Sequence, residues 1–141
     1  MALRYILRPD GSSNHMVDFD PETGEYKDNP GGQGYESGSS WSRGQSWAIY
    51  GMALAYRYTK NQAYLDAAKR SAHYFMANVS LNDYIPLLDF RRRRSRFILT
   101  TTAGACAACG LLELSEHVGE YEKPLYVQSA FKMPEGGSGI L

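Results

Sequence analysis

No apolar run in the sequence approaches the ~20 residues that cross a bilayer, so no stretch reads as a membrane helix and no membrane partner is expected. The chain has 141 residues and two cysteines, Cys106 and Cys109, too few for a disulfide framework. A reducing, cytoplasmic compartment is the default expectation. Net charge is also missing: 15 basic side chains balance 15 acidic ones, leaving no global field to recruit nucleic acid. The start, MALRYILRPDGSSN, lacks an apolar core followed by a small-residue cleavage site, so a signal peptide is not expected.

What remains is globular in composition, 43% hydrophobic and 21% charged. Aromatic content is 13%, with 11 tyrosines and 2 tryptophans. Exposed Tyr and Trp often line carbohydrate sites, although core packing is the commoner use of aromatics.

The stretch Gln33–Trp47, QGYESGSSWSRGQSW, organises the chain. Gly34 and Gly38 make its first part a loop. Ser39 and Ser40 then offer oxygens to cap a helix starting near Trp41. Arg43 and Trp47 are four apart on that helix and share a face. A helix N-terminus suits an anion, an arginine fork matches a carboxylate, and an indole offers a flat apolar face to a sugar ring. An Arg–aromatic stack on a purely structural helix is equally open from this stretch alone.

Residues 3–8 read as a helix end or a short strand, followed by a turn at Pro9–Ser13. His15–Phe19 reads as extended, leading to the turn Asp20–Gly24. That acidic turn does not suit calcium, because Pro21 intrudes and Gly24 falls seventh from Asp18 rather than sixth. Residues 26–40 form a long loop, which favours a functional role. A helix over about 41–58 carries a stripe of Trp47, Tyr50, Leu54 and Tyr58. Asn61 caps a second over about 62–78, with Tyr64, Ala68, Ala72 and Phe75 on one stripe, and the short linker makes the two an antiparallel hairpin. Tyr84–Phe90 is an apolar extended piece. A third helix, about 102–117, is rich in small residues that admit a close neighbour. Pro124 opens a fourth, about 124–132, and Pro134 stops it. The expected organisation is an all-α domain over 1–133, about four helices with long connecting loops, and a flexible tail over 134–141.

Three blocks carry a family resemblance. GQGYESGSSWSRGQSWAIYG resembles the signature of the unsaturated glucuronyl hydrolases, glycoside hydrolase family 88, departing from it at positions that include Ser37 and Ser42. Asn14–Glu25 (NHMVDFDPETGE) resembles the family's histidine-bearing segment, and Thr102–Leu114 (TAGACAACGLLEL) its Ala-rich helix. The match runs from about Leu7 to Val127. It implies a portion of an (α/α)6 toroid of six helical hairpins, a fold that needs on the order of 250 residues or more. It also implies an activity: hydration of the C4=C5 double bond of a terminal unsaturated glucuronate, with release of that sugar from an oligosaccharide. By the same resemblance His15, Gln33, Arg43 and Trp47 are the substrate-binding residues, with Arg43 facing the carboxylate. No metal or cofactor is called for.

The family's two catalytic aspartates precede its histidine block, and only 14 residues precede His15 here. Asp10 among them matches neither. Asp18, Asp20 and Asp89 lack the catalytic context and read as structural, so the expectation is a chain with no catalytic residue of its own and no turnover alone. Cys106 and Cys109 read as small core residues inside a helix. Arg91–Arg94 and Arg96 form a basic run with three readings: a phosphate site, a solvated charge run, or the product of a local reading-frame slip, since Thr100 stands where the family has aspartate. The run is expected to be exposed, and apolar helix faces left open are where self-association would occur. The rival functions are a non-catalytic carbohydrate-binding or helical scaffold piece, and a related unsaturated rhamnogalacturonyl hydrolase.

Overall fold

The computed structural model describes residues 2–91 and 99–135. Four long helices dominate it: α2 (Ser42–Thr59), α3 (Gln62–Val79), α4 (Thr101–Ser115) and α5 (Lys123–Glu135). A one-turn α1 (Ala2–Tyr5) precedes them. Strands β1 (Asp18–Phe19) and β2 (Tyr26–Asp28) then form a small antiparallel hairpin, so the loop after the acidic turn begins as a strand.

The α2–α3 reversal needs only two residues. Lys60 adopts a left-handed conformation (φ 55°) and donates its N–H to Tyr56 O, closing α2. Asn61 then caps α3, its side chain accepting from Ala63 N–H at 3.0 Å. A second hairpin follows in α4 and α5. The two hairpins are related by constant offsets. Gly110 meets Ile49 and Tyr50, and His117 meets Tyr56, so α4 runs parallel to α2. Lys69 pairs with Glu122, and His73 bonds to Tyr126, so α5 runs parallel to α3. Repetition of a hairpin with like helices side by side is how a helical toroid is built.

Ile49, Met52, Ala68, Phe75, Leu111, Leu114 and Tyr126 form the core between the hairpins. Full burial of such a side chain contributes roughly 1.5–3 kcal/mol. Tyr126 is buried away from solvent, and that burial, with Glu122 nearby, pushes its hydroxyl up to about 12.

Four expectations need correction. Trp41, not Ser39 or Ser40, is the residue before α2, and neither serine caps it. The N–H of Ser42 instead donates to Leu88 O at 3.0 Å, because Trp41 pairs with Asp89 as an antiparallel bridge that holds the chain extended. Of the stripe Trp47, Tyr50, Leu54 and Tyr58, all but the half-buried Leu54 are exposed; the buried face of α2 is Gln45, Ile49, Met52 and Ala53. Bulk drew attention to the aromatics, but close helix approach selects the smaller residues. Cys106 is half-buried and Cys109 exposed, beside rather than on the buried stripe of Ala103, Ala107, Gly110, Leu111 and Leu114. Last, α5 runs to Glu135, past Pro134. Proline's fixed φ is itself helical, and at Pro134 the helix lacks one N–H donor just before it ends. The expectations for residues 92–98 and for the tail beyond 135 lie outside the described residues.

The small-residue reading of α4 has a measurable consequence. A Cβ on Gly110 would lie 3.0 Å from Ile49 Cγ2 and from Tyr50 N, whereas one on Gly51 in α2 would meet nothing within 4 Å. Gly110→Val is expected to destabilise the fold by about 1–3 kcal/mol in urea unfolding. Gly51→Ala is expected to stabilise it by up to about 1 kcal/mol.

Candidate functional site

The N-terminus of α2 is set by the segment 84–90. Asp89 is almost fully buried, 3% exposed, and its carboxylate accepts three backbone N–H bonds. Ser40 and Arg91 donate to Oδ1 at 3.0 Å each, and Tyr35 donates to Oδ2 at 3.1 Å. This fixes the loop 31–40 against the start of α2. The Asp89 carboxylate is therefore taken up by the fold, as is that of Asp20, whose Oδ1 accepts the N–H groups of Glu22 and Thr23; Asp18 lies exposed in β1.

From that base the four sequence-picked residues come together. The Gln33 N–H donates to His15 Nδ1 at 3.0 Å. The Arg43 guanidinium donates to Gln33 Oε1 at 3.3 Å. It also lies 4.6 Å from the Trp41 ring centroid and 5.9 Å from that of Trp47. The Trp41 indole packs edge-on against both His15 (4.4 Å) and Trp47 (5.3 Å). Trp47 is 54% exposed, whereas Trp41 is 2% exposed and serves as the hub. Arg43 has no carboxylate partner among the described residues, and its Nε has no hydrogen-bond partner there. A guanidinium held by rings and an amide, with no acid to neutralise it, is chemically suited to a carboxylate ligand.

Two supports escaped the sequence reading. Gln45 is fully buried; its Oε1 accepts from Ser13 N–H at 2.6 Å and its Nε2 donates to Gly11 O at 2.7 Å and to Ser71 O at 3.3 Å. One amide thus ties the turn before His15 to α2 and α3. Trp41 was taken only as a helix start, although it touches three of the four site residues. The tight approach of His15 also depends on Gly32 (φ +57°), where a Cβ would fall 2.0 Å from His15 Nδ1.

The turn before His15 carries its own electrostatic tie. Arg91 pairs with Asp10 at 2.7 Å and also donates to Gly38 O and Ser12 Oγ. Arg91, at the head of the basic run, is therefore bound into the fold. Burial opposes ionisation of Asp10, but the Ser12 and Arg91 hydrogen bonds outweigh it and hold the carboxyl below its ordinary 3.8. A separate cavity of about 570 Å³ lies beside α1, lined in part by Tyr5, Arg8, Asn14 and Tyr26. It contains none of His15, Gln33, Arg43 or Trp47. The converged cluster, not this hollow, holds the groups with chemistry to perform.

Sequence comparison finds the same enzyme repeatedly. The chain is 41% identical over 118 residues to an unsaturated glucuronyl hydrolase of Bacillus sp. (strain GL1), covering 83% of this chain and 31% of that one. It is 34% identical to an unsaturated chondroitin disaccharide hydrolase of Streptococcus pneumoniae, covering 91% of this chain and 33% of that one. The crystal structure of the Bacillus sp. GL1 unsaturated glucuronyl hydrolase superposes with a TM-score of 0.88 at 36% identity, over 96% of this chain and 36% of that chain. The chain is homologous to part of the unsaturated glucuronyl hydrolases. It spans about a third of the length of the curated relatives it matches. Its two hairpins accordingly match a portion of a helical toroid. No family model matches the chain.

Asp10 yields a pH test of the support. Its folded value lies below its unfolded one, so its stabilisation is complete above 3.8 and is lost as pH falls through the lower folded value. Both partners are substantially exposed, so Asp10→Asn is expected to cost less than about 1 kcal/mol at neutral pH. In chemical denaturation followed against pH, that difference should close in acid; a difference that persists at pH about 2 would contradict the assignment.

Proposed function

We propose that this chain carries the substrate-binding part of an unsaturated glucuronyl hydrolase, and that His15, Gln33, Arg43 and Trp47 hold the terminal unsaturated uronate of an oligosaccharide. The observation that carries this reading is Arg43, which is braced by two indoles and Gln33 and has no acid partner among the described residues. Arg43 pairs with the uronate carboxylate. Trp47 stacks on the sugar ring, with Trp41 holding both. Gln33 supplies a donor and an acceptor to hydroxyls, and His15 orients the ring from the other side.

Hydration of C4=C5 needs a proton delivered at the double bond and a water at the neighbouring carbon. In this reading the group that moves that proton is not among the residues of this chain. The carboxylates of Asp20 and Asp89 are occupied by turn and loop N–H groups, and Asp18 lies exposed in β1, outside the Arg43 cluster. The chain binds and orients; general acid/base chemistry, worth typically ~10²–10⁴-fold in rate, comes from elsewhere in the assembled enzyme. The same reading places the protein in the cytoplasm. It assigns self-association to open faces such as Tyr58, Leu112, Leu125 and Phe131, all exposed.

Loss of the ultraviolet absorbance of an unsaturated disaccharide measures turnover directly. The chain alone is expected to show none. The chain mixed with a segment of a relative that carries the aspartate pair is expected to gain activity that Arg43→Ala reduces. Activity in the chain alone, abolished by Asp18→Asn, Asp20→Asn or Asp89→Asn, would place the acids here and overturn the assignment.

A further inference from the structure

We propose that Asp89 is a positioning residue for this site, holding the loop whose Gln33 N–H locks His15 in the tautomer with its proton on Nε2. The inference rests on the binding-site reading for its purpose, but its geometry stands without it.

A buried carboxylate survives only where donors replace its water. Asp89 has three, and two of them, Tyr35 and Ser40, belong to the loop 31–40. The loop sits directly on the carboxylate: a Cβ on Gly34 would fall 3.2 Å from Asp89 Oδ2 and 2.0 Å from Ser39 Oγ. Immediately before this seat, Gly34 N–H closes a tight turn onto Gly31 O at 2.8 Å. That turn aims the Gln33 N–H at His15 Nδ1. A ring nitrogen that accepts a hydrogen bond carries no proton, so the neutral imidazole bears its proton on Nε2.

The other edges of the ring are also accounted for. Nδ1 and Cε1 face Gly32, and Cδ2 lies 3.7 Å from where a Gly44 Cβ would stand, beside Trp41. The Nε2–H is the remaining polar group, and it has no partner among the described residues. His15 is thereby a fixed donor, suited to a hydroxyl, ether or carboxylate oxygen of the ligand. Asp89 never touches that ligand; it acts through Tyr35 and Ser40, then the turn, then Gln33.

Nuclear magnetic resonance of the nitrogen-15-labelled chain tests this without any sugar, so its outcome is separate from whether the site binds uronate. A scalar coupling across the hydrogen bond between the Gln33 amide nitrogen and His15 Nδ1 is expected, with His15 in a single tautomer. Asp89→Asn keeps one acceptor oxygen and replaces the other by an amide donor, which cannot accept from the loop N–H it faces, that of Tyr35 on one side or Ser40 on the other. It should abolish the coupling and average the His15 signals over two tautomers. His73 and His117, held by Tyr126 and Glu113, serve as internal controls and should not move. If their signals collapse as well, the fold has been lost and Gly34→Ala is read instead, since it spreads the same seat with the carboxylate intact. Absence of the coupling in the unaltered chain overturns the proposal. So does its survival in either folded variant.

Discussion

The hydrogen bonds of the Gln45 side chain hold together the parts on which everything else in this structure depends. Its amide projects from α2 and bonds to the turn at residues 11–13 and to α3. Without it the buried Ser13 N–H would lose its partner, at about 1–3 kcal/mol. An apolar side chain of similar size would fill the space and leave those groups stranded. The position therefore needs an amide, with a donor and an acceptor on one planar head. Because Ser13 is two residues from His15, this bond also decides where the imidazole stands relative to the helix that carries Arg43 and Trp47.

Asp89 does for the other wall of the site what Gln45 does for the first. Next to Asp89, Leu88 O takes the Ser42 N–H where a helix start would ordinarily use a serine cap. A cap made by a neighbouring segment instead of the local sequence ties the helix end to tertiary structure. The N-terminus of α2 and the loop in front of it then form only when 84–90 is in place. The site is thus built from three stretches separated along the chain, and its rigidity comes from buried polar groups more than from apolar packing.

The helices were legible because their determinants are local. Asn61 announces α3, Pro124 falls in the first turn of α5, and the small residues of α4 do admit Ile49 and Tyr50 at close range. The four residues Arg43, Trp47, Gln33 and His15 were legible through family resemblance, and the fold does draw them into one contact network. What escaped is non-local. No pattern distinguishes the buried Gln45 from the exposed Gln33, or the buried Trp41 from the exposed Trp47. Their difference arises from which face α3 and α4 cover. Ser39 and Ser40 looked like caps because their type and place were right, yet the bridge between Trp41 and Asp89 comes from a segment 48 residues further on.

The chain spans about a third of the relatives it matches, and the chemistry it presents is that of recognition. Both of its tryptophans lie in the Arg43 cluster, so tryptophan emission, excited selectively over that of the 11 tyrosines, reports on that site. Titration with an unsaturated uronate disaccharide is expected to give a saturable change with a midpoint on the order of millimolar, as a handful of exposed contacts would allow. Arg43→Ala, with unchanged helical circular dichroism, is expected to weaken that midpoint by about tenfold or more, the loss of one charge-assisted hydrogen-bonded pair. An equal midpoint in the two chains would show that Arg43 is only a structural stack, and would contradict the uronate-binding role.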